Sequence, residues 1–132
     1  MTFTLRIGVW NVEWATARSR GPAVRARLAA LQADILVVTE GCEAVLPPDG
    51  HVVTSGDDYG YRRVSGRRKV LLWSRRAWQD LDAVGSTALP PGRFVAASTT
   101  TAIGPVRVLG VCIPWKDAHV TTGQQNVPVH RV

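Results

Sequence analysis

The spacing of hydrophobic positions changes several times along the chain, and each change predicts an element. In "TLRIGVWNVEW", Leu5, Ile7, Val9 and Asn11 fall on one face of a strand, with Arg6, Gly8, Trp10 and Val12 on the other, because strand side chains alternate. Asn11 therefore continues an apolar face as a polar residue. "SRGPAVRARLAALQAD" switches to helical spacing. Pro22 stands near the start, Val24, Leu28 and Leu31 recur at i, i+4 and i+7, and Arg25 and Arg27 are predicted to face solvent. The next run, Ile35 to Val38 in "ADILVVTEGCE", lacks alternation, which predicts a strand covered on both faces. It runs directly into Thr39 and Glu40, ending a buried pattern on a carboxylate.

Strand, helix and strand in this order predict a βαβ unit with parallel strands. The carboxyl ends of those strands share one sheet edge, where open sheets place ligands, and Asn11 and Glu40 stand at those ends. Residues 43–61, rich in Pro, Gly and Asp, read as connecting loops with little packing. "RKVLLWS", "GRFVAASTTT" and "IGPVRVLGVCIPW" read as strands, with turns at Pro90–Pro91 and Gly104–Pro105. The second half is thus expected to be an antiparallel meander, and the tail from Asp117 reads as a loop.

Composition narrows the class. A chain of 132 residues, 45% hydrophobic and 20% charged with five tryptophans, suits one folded domain with one core. A net charge of +6, from 16 basic against 10 acidic residues, favours phosphate-bearing or other anionic partners. Arg62, Arg63, Arg67, Arg68 and Lys69 cluster, and the cluster reads equally as a solvated loop or a phosphate-facing patch. Cys42 and Cys112 have no ligand spacing, which argues against zinc and a disulfide framework and leaves two small buried thiols. The start "MTFTLRIGVW" lacks a signal-peptide pattern and no run suffices to span a bilayer, so a soluble cytoplasmic protein without a membrane partner is expected.

Mg²⁺ takes oxygen ligands and commonly uses one or two protein carboxylates beside waters and phosphate oxygens. Glu40 suits such an ion, and Asn11 could orient a phosphate or a bound water; a cap or loop carboxylate is the alternative for Glu40. "RIGVWNVEW", "LQADILVVTE", "RKVLLWSRRAW" and "GRFVAASTTTAIGPVRVLGVCIPW", in this order, resemble the amino-terminal half of the endonuclease/exonuclease/phosphatase superfamily, the deoxyribonuclease I-like fold. The resemblance covers residues 4 to 116.

The resemblance implies an α/β (α+β) fold, half of a four-layer αββα sandwich with mixed, mostly antiparallel sheet and one long helix. It also implies hydrolysis of phosphodiester or phosphomonoester bonds with Mg²⁺ or Mn²⁺ as cofactor. By position, Asn11 matches the family's active-site asparagine, Glu40 its metal-binding glutamate, and Arg93 in "GRFVAA" resembles the strand arginine that faces the phosphate. An arginine fork can hold two phosphate oxygens as charge develops; an ordinary surface arginine is the alternative. The expected partner is a phosphate-bearing substrate, nucleic acid among the candidates with sugar and lipid phosphates.

Two departures matter. "GVCIPW" places Cys112 or Ile113 where many nucleases of the family carry a histidine, and His119, a few residues on, reads as solvent-exposed. No Gly-Asp-x-Asn string and no terminal Asp-His pair occurs, and Asp117 and His119 have the wrong context to replace them. In the family mechanism that pair activates the attacking water. Residues 1–132 are therefore expected to be a truncated domain, incomplete as an enzyme, with a noncatalytic basic nucleic-acid-binding module or an inactive fragment as the alternatives. Half a sandwich would also bare an apolar sheet face and favour self-association. Leu5, Ile7 and Val9, with alternate residues of "KVLLW" and "VRVLGV", are predicted to form that face.

Overall fold

The computed structural model describes residues 2–16, 18–60 and 62–114. In chain order it contains β1 (Ile7–Asn11), α1 (Gly21–Ala30), β2 (Ile35–Cys42), a 3-10 turn (Glu43–Val45), β3 (His51–Thr54), β4 (Arg67–Ser74), β5 (Trp78–Asp82), β6 (Phe94–Thr101) and β7 (Gly104–Val111). The strands form a four-stranded sheet, β1-β2-β4-β3, and a three-stranded sheet, β5-β6-β7. Only β1 and β2 run parallel; the other pairs are antiparallel. This is the α+β half-sandwich that the resemblance implies, and it contains the parallel pair that the hydrophobic pattern predicts.

Pro22 lies in the first turn of α1, as expected from its fixed φ. No side chain caps that end. Instead Arg20 donates to the carbonyls of Val12 at 3.3 Å and Glu13 at 2.7 Å, tying the helix start to the segment leaving β1. Val24 and Leu28 are buried, but Leu31, third in the predicted stripe, is 44% exposed because the helix stops at Ala30. Ten residues make a marginal helix on their own, so contact with the sheet holds it.

Cross-strand register sorts the apolar residues onto two faces. Leu36, Val38, Leu71 and Trp73 pack with Val24 and Leu28 of α1 and with Val45 and Leu46. On the opposite face Val70 and Leu72 meet Val95 and Ala97 of the second sheet. The unalternating runs of β2 and β4 are thus covered on both sides. A Cβ at Gly110 would collide with Val70 Cγ1, so β7 approaches the first sheet this closely only without a side chain there.

Several expectations need correction. Residues 43–61 are more than loop: β3 pairs with β4 from His51↔Ser74 to Thr54↔Leu71, and Val45, Leu46 and Tyr59 are buried. Four strand residues between Gly- and Asp-rich turns are too few to display a period. β5 also escaped the pattern, because its pairing with β6 shifts between Gln79 and Asp82 and Asp80 adopts a φ of 52°. Gly104 and Pro105 lie inside β7 rather than in the turn before it. Cys42 and Cys112 are free and half-buried rather than buried.

The predicted bare face divides in two. Ile7 and Val9, 48% and 75% exposed, continue the inner face of the first sheet beyond its cover, whereas Leu109 and Val111, 62% and 46% exposed, lie on the outer face of the second sheet. "KVLLW" is buried throughout. Asp117, His119 and the tail lie outside the described residues. Among the described residues, no helix is long and apolar enough to cross a membrane.

Candidate active site

The parallel pairing of β1 with β2 sets Asn11 beside Thr39, and Glu40 follows one residue on. The backbone there is unusual. Glu40 has a φ of 54°, and across the strand end Glu13 and Trp14 have φ of 50° and 61°. Each non-glycine residue in this left-handed region costs about 1–2 kcal/mol, so three of them in one corner need a structure that holds them. Trp14 N–H donates to the Glu40 carbonyl at 2.6 Å, and Val12 N–H to the Thr39 carbonyl at 3.0 Å. Glu13 N–H donates to Asn11 Oδ1 at 2.9 Å, which turns the other end of that amide toward the carboxylate. Asn11 Nδ2 then donates to Glu40 Oε1 at 2.8 Å. The two residues predicted to share a sheet edge are in direct contact.

A third residue joins them that sequence reasoning counted only within a basic cluster. Thr39 pairs with Val70 and Gly41 with Arg68, so Lys69 lies opposite Glu40, and its Nζ is 3.4 Å from Oε2. The Lys69 side chain is 7% exposed and that of Glu40 24%. Lys69 Nζ also lies 4.9 Å from the Trp14 ring centroid and 5.5 Å from that of Tyr59, within cation–π range. The two rings are 5.6 Å apart, and the Arg67 guanidinium lies 5.1 Å from the Trp14 centroid. A signal for this contact was present: "ILVVTE" ends an apolar run on an acid and "KVLLW" begins one on a base, which antiparallel pairing brings together.

Arg93, at 3% exposure, is not a surface arginine. It precedes β6, donates from Nη1 to the Cys112 carbonyl at 3.2 Å, and its own carbonyl accepts from Cys112 N–H at 2.9 Å. The preceding Gly92, at φ 69°, lies against the Asp58–Tyr59 backbone, where a Cβ would collide with the Asp58 carbonyl and lie 2.9 Å from Tyr59 Cα. Burial pushes the Cys112 thiol above its ordinary range. The charges of Lys69 and Arg93 act the other way and that of Glu40 adds to the rise. Cys112 stays neutral at neutral pH and is a poor base.

The remaining basic cluster is not one patch. Arg63 lies 3.4 Å from Asp58 and 3.9 Å from Asp57, while Arg67 and Lys69 face the rings beside Glu40. Among the described residues, no group of three or more His, Cys, Asp or Glu could hold a metal ion. One carboxylate does not make a closed cage. It does fit a hard ion whose shell is completed by water and phosphate oxygens.

A two-sheet α+β sandwich with an amide and a carboxylate clasped at the tips of adjoining parallel strands is the class that fold and site define. No family model and no curated protein matches the sequence. Among solved structures, a 3′ phosphatase, NExo, from Neisseria, bound to a product DNA hairpin, is 29% identical with a TM-score of 0.57, covering 84% of this chain and 42% of that one. A 3′-5′ exonuclease, NExo, from Neisseria meningitidis, is 30% identical with a TM-score of 0.55, covering 83% and 42%. The endonuclease domain of TRAS1, a telomere-specific non-LTR retrotransposon, shares the fold at 13% identity, with a TM-score of 0.55 and coverage of 88% and 49%. The chain spans less than half the length of each of these structures. Its fold resembles the amino-terminal half of the deoxyribonuclease I-like fold of the endonuclease/exonuclease/phosphatase superfamily.

Proposed function

We propose that this chain contributes half of a site for metal-assisted phosphoester hydrolysis on nucleic acid. The contact of 2.8 Å between Asn11 Nδ2 and Glu40 Oε1 carries the reading, because it places an anionic oxygen ligand and an amide donor at one sheet edge. The names of the two NExo structures, a 3′ phosphatase and a 3′-5′ exonuclease, support phosphate esters of DNA as the substrate class.

In this reading Glu40 holds Mg²⁺ or Mn²⁺, which when bound supplies Lewis-acid polarisation of a phosphoryl oxygen. Asn11 fixes the carboxylate through one amide hydrogen and offers the other to a phosphate oxygen. Arg93 and Lys69 add positive charge where phosphate charge develops. No water-activating base is assigned among the described residues, and full turnover is expected to draw on residues beyond them. A noncatalytic basic module is disfavoured, because Arg63 is engaged with Asp57 and Asp58 while Arg67 and Lys69 face aromatic rings.

The test is binding of a 3′-phosphorylated DNA oligonucleotide to the folded chain with and without Mn²⁺, followed by fluorescence anisotropy. Binding that is enhanced by Mn²⁺ and loses that enhancement in Glu40→Gln is the expected result. Enhancement untouched by that substitution, or none at all from folded protein, would overturn the reading.

A further inference from the structure

Lys69 is 5% exposed, and an ammonium buried to that extent is costly without an opposite charge. Glu40 supplies that charge, and the carboxylate is divided between two donors: Asn11 Nδ2 at Oε1 and Lys69 Nζ at Oε2. The strand next to Lys69 is fixed as well. Val70 N–H donates to Ser55 Oγ at 3.0 Å, and its carbonyl accepts from Ser55 N–H at 3.0 Å. The Lys69 stem thus leaves a hydrogen-bonded strand and carries its head group to Oε2, with the Trp14 and Tyr59 rings at 4.9 and 5.5 Å as the neighbouring surface.

We propose that Lys69 is a built-in counter-cation that stands in for the divalent ion at Glu40 and must withdraw toward Trp14 and Tyr59 when the ion binds. This positioning role rests on the metal-binding reading of Glu40 and deepens it. Two cations converging on one carboxylate repel each other in a partly dry corner, where screening is weak. Lys69 thus stabilises the corner in the absence of the ion and lowers the affinity for the ion. A phosphate that arrives with the ion offsets the extra positive charge, so ion and phosphate bind more tightly together than separately.

Titrate Mn²⁺ into wild-type protein, Lys69→Met, Lys69→Arg and Glu40→Gln, following heat of binding and melting temperature, with and without thymidine 3′-phosphate. Lys69→Met is expected to bind Mn²⁺ alone at least about tenfold more tightly than wild type. It should also melt lower than wild type without Mn²⁺, regain most of that loss with it, and show less enhancement by the nucleotide. Lys69→Arg, which keeps the charge, should keep the weak wild-type affinity. Equal affinity in wild type and Lys69→Met, with binding lost in Glu40→Gln, would overturn the role of Lys69 alone. Binding that survives Glu40→Gln, or is absent from every protein, would overturn the metal reading and this inference together. If Lys69→Met fails to fold, the side-chain ¹⁵N resonance of Lys69 in wild-type protein decides. It must move with the Mg²⁺ binding curve, and a resonance that stays still would refute the proposal.

Discussion

β1 and β2 are hydrogen-bonded neighbours made of the same kind of residues, yet their surroundings are opposite. Four of the five residues of β1 are exposed, whereas Ile35, Leu36 and Val38 of β2 are fully buried. The difference lies in what covers each strand. β2 has α1 on one side and sheet β5-β6-β7 on the other, and the described residues leave the Ile7–Val9 strip of β1 bare. The candidate site straddles this boundary. Glu40 is anchored on the covered strand and paired with buried Lys69, while Asn11 is presented by the open one. One half of the pair is fixed and the other faces solvent.

The largest expected effects lie on the covered side. Leu71→Ala, at a position with 0% exposure, should cost about 3 kcal/mol or more in urea unfolding, while Val9→Ala, at 75% exposure, should stay within about 0.5 kcal/mol. Similar costs at the two positions would erase the contrast. Next in size, Glu40→Ala removes the carboxylate beside a buried ammonium and should lower stability by about 2 kcal/mol in metal-free buffer. Calorimetry showing no loss would mean that the 3.4 Å pair is not formed in solution.

How far the fold could be read from the sequence follows the same division. The alternation of Leu5, Ile7, Val9 and Asn11 and the unbroken run at Ile35 to Val38 each record a local periodicity. From them came the parallel pair and the meeting of Asn11 with Glu40. What covers a strand is not a local property. "KVLLW" and "VRVLGV" therefore both looked eligible for the bare face, although β4 is buried and Leu109 and Val111 point to the other side of the second sheet. β3 and β5 were missed because one is only four residues long and the other breaks register. The contact of Lys69 with Glu40 needed the pairing of β2 with β4, which the sequence suggests only through an acid closing one apolar run and a base opening another.

A smaller effect sharpens the view of the open strand. Val9→Lys should leave the melting temperature nearly unchanged and reduce any self-association seen by sedimentation. An unaltered distribution would show that this strip is not a contact surface. The smallest effect belongs to an exposed turn. Asp82 accepts from Gly85 and Val84 N–H, each at 2.9 Å, and these bonds hold its carboxyl below the usual aspartate range. A lowered folded value stabilises above the ordinary range and is lost as pH falls through the folded value. Asp82→Ala should thus melt slightly below wild type at neutral pH and converge with it in acid; a gap independent of pH would contradict this.

Paramagnetic broadening by Mn²⁺ tests the Asn11–Glu40 half-site most directly. At substoichiometric Mn²⁺ the first amide resonances to vanish should be the Asn11 side chain and the backbone of Glu40 and Gly41, and Glu40→Gln should abolish that pattern. Broadening centred instead on the Asp57–Asp58 loop or on Asp82, or unchanged by Glu40→Gln, would contradict the proposed ion site.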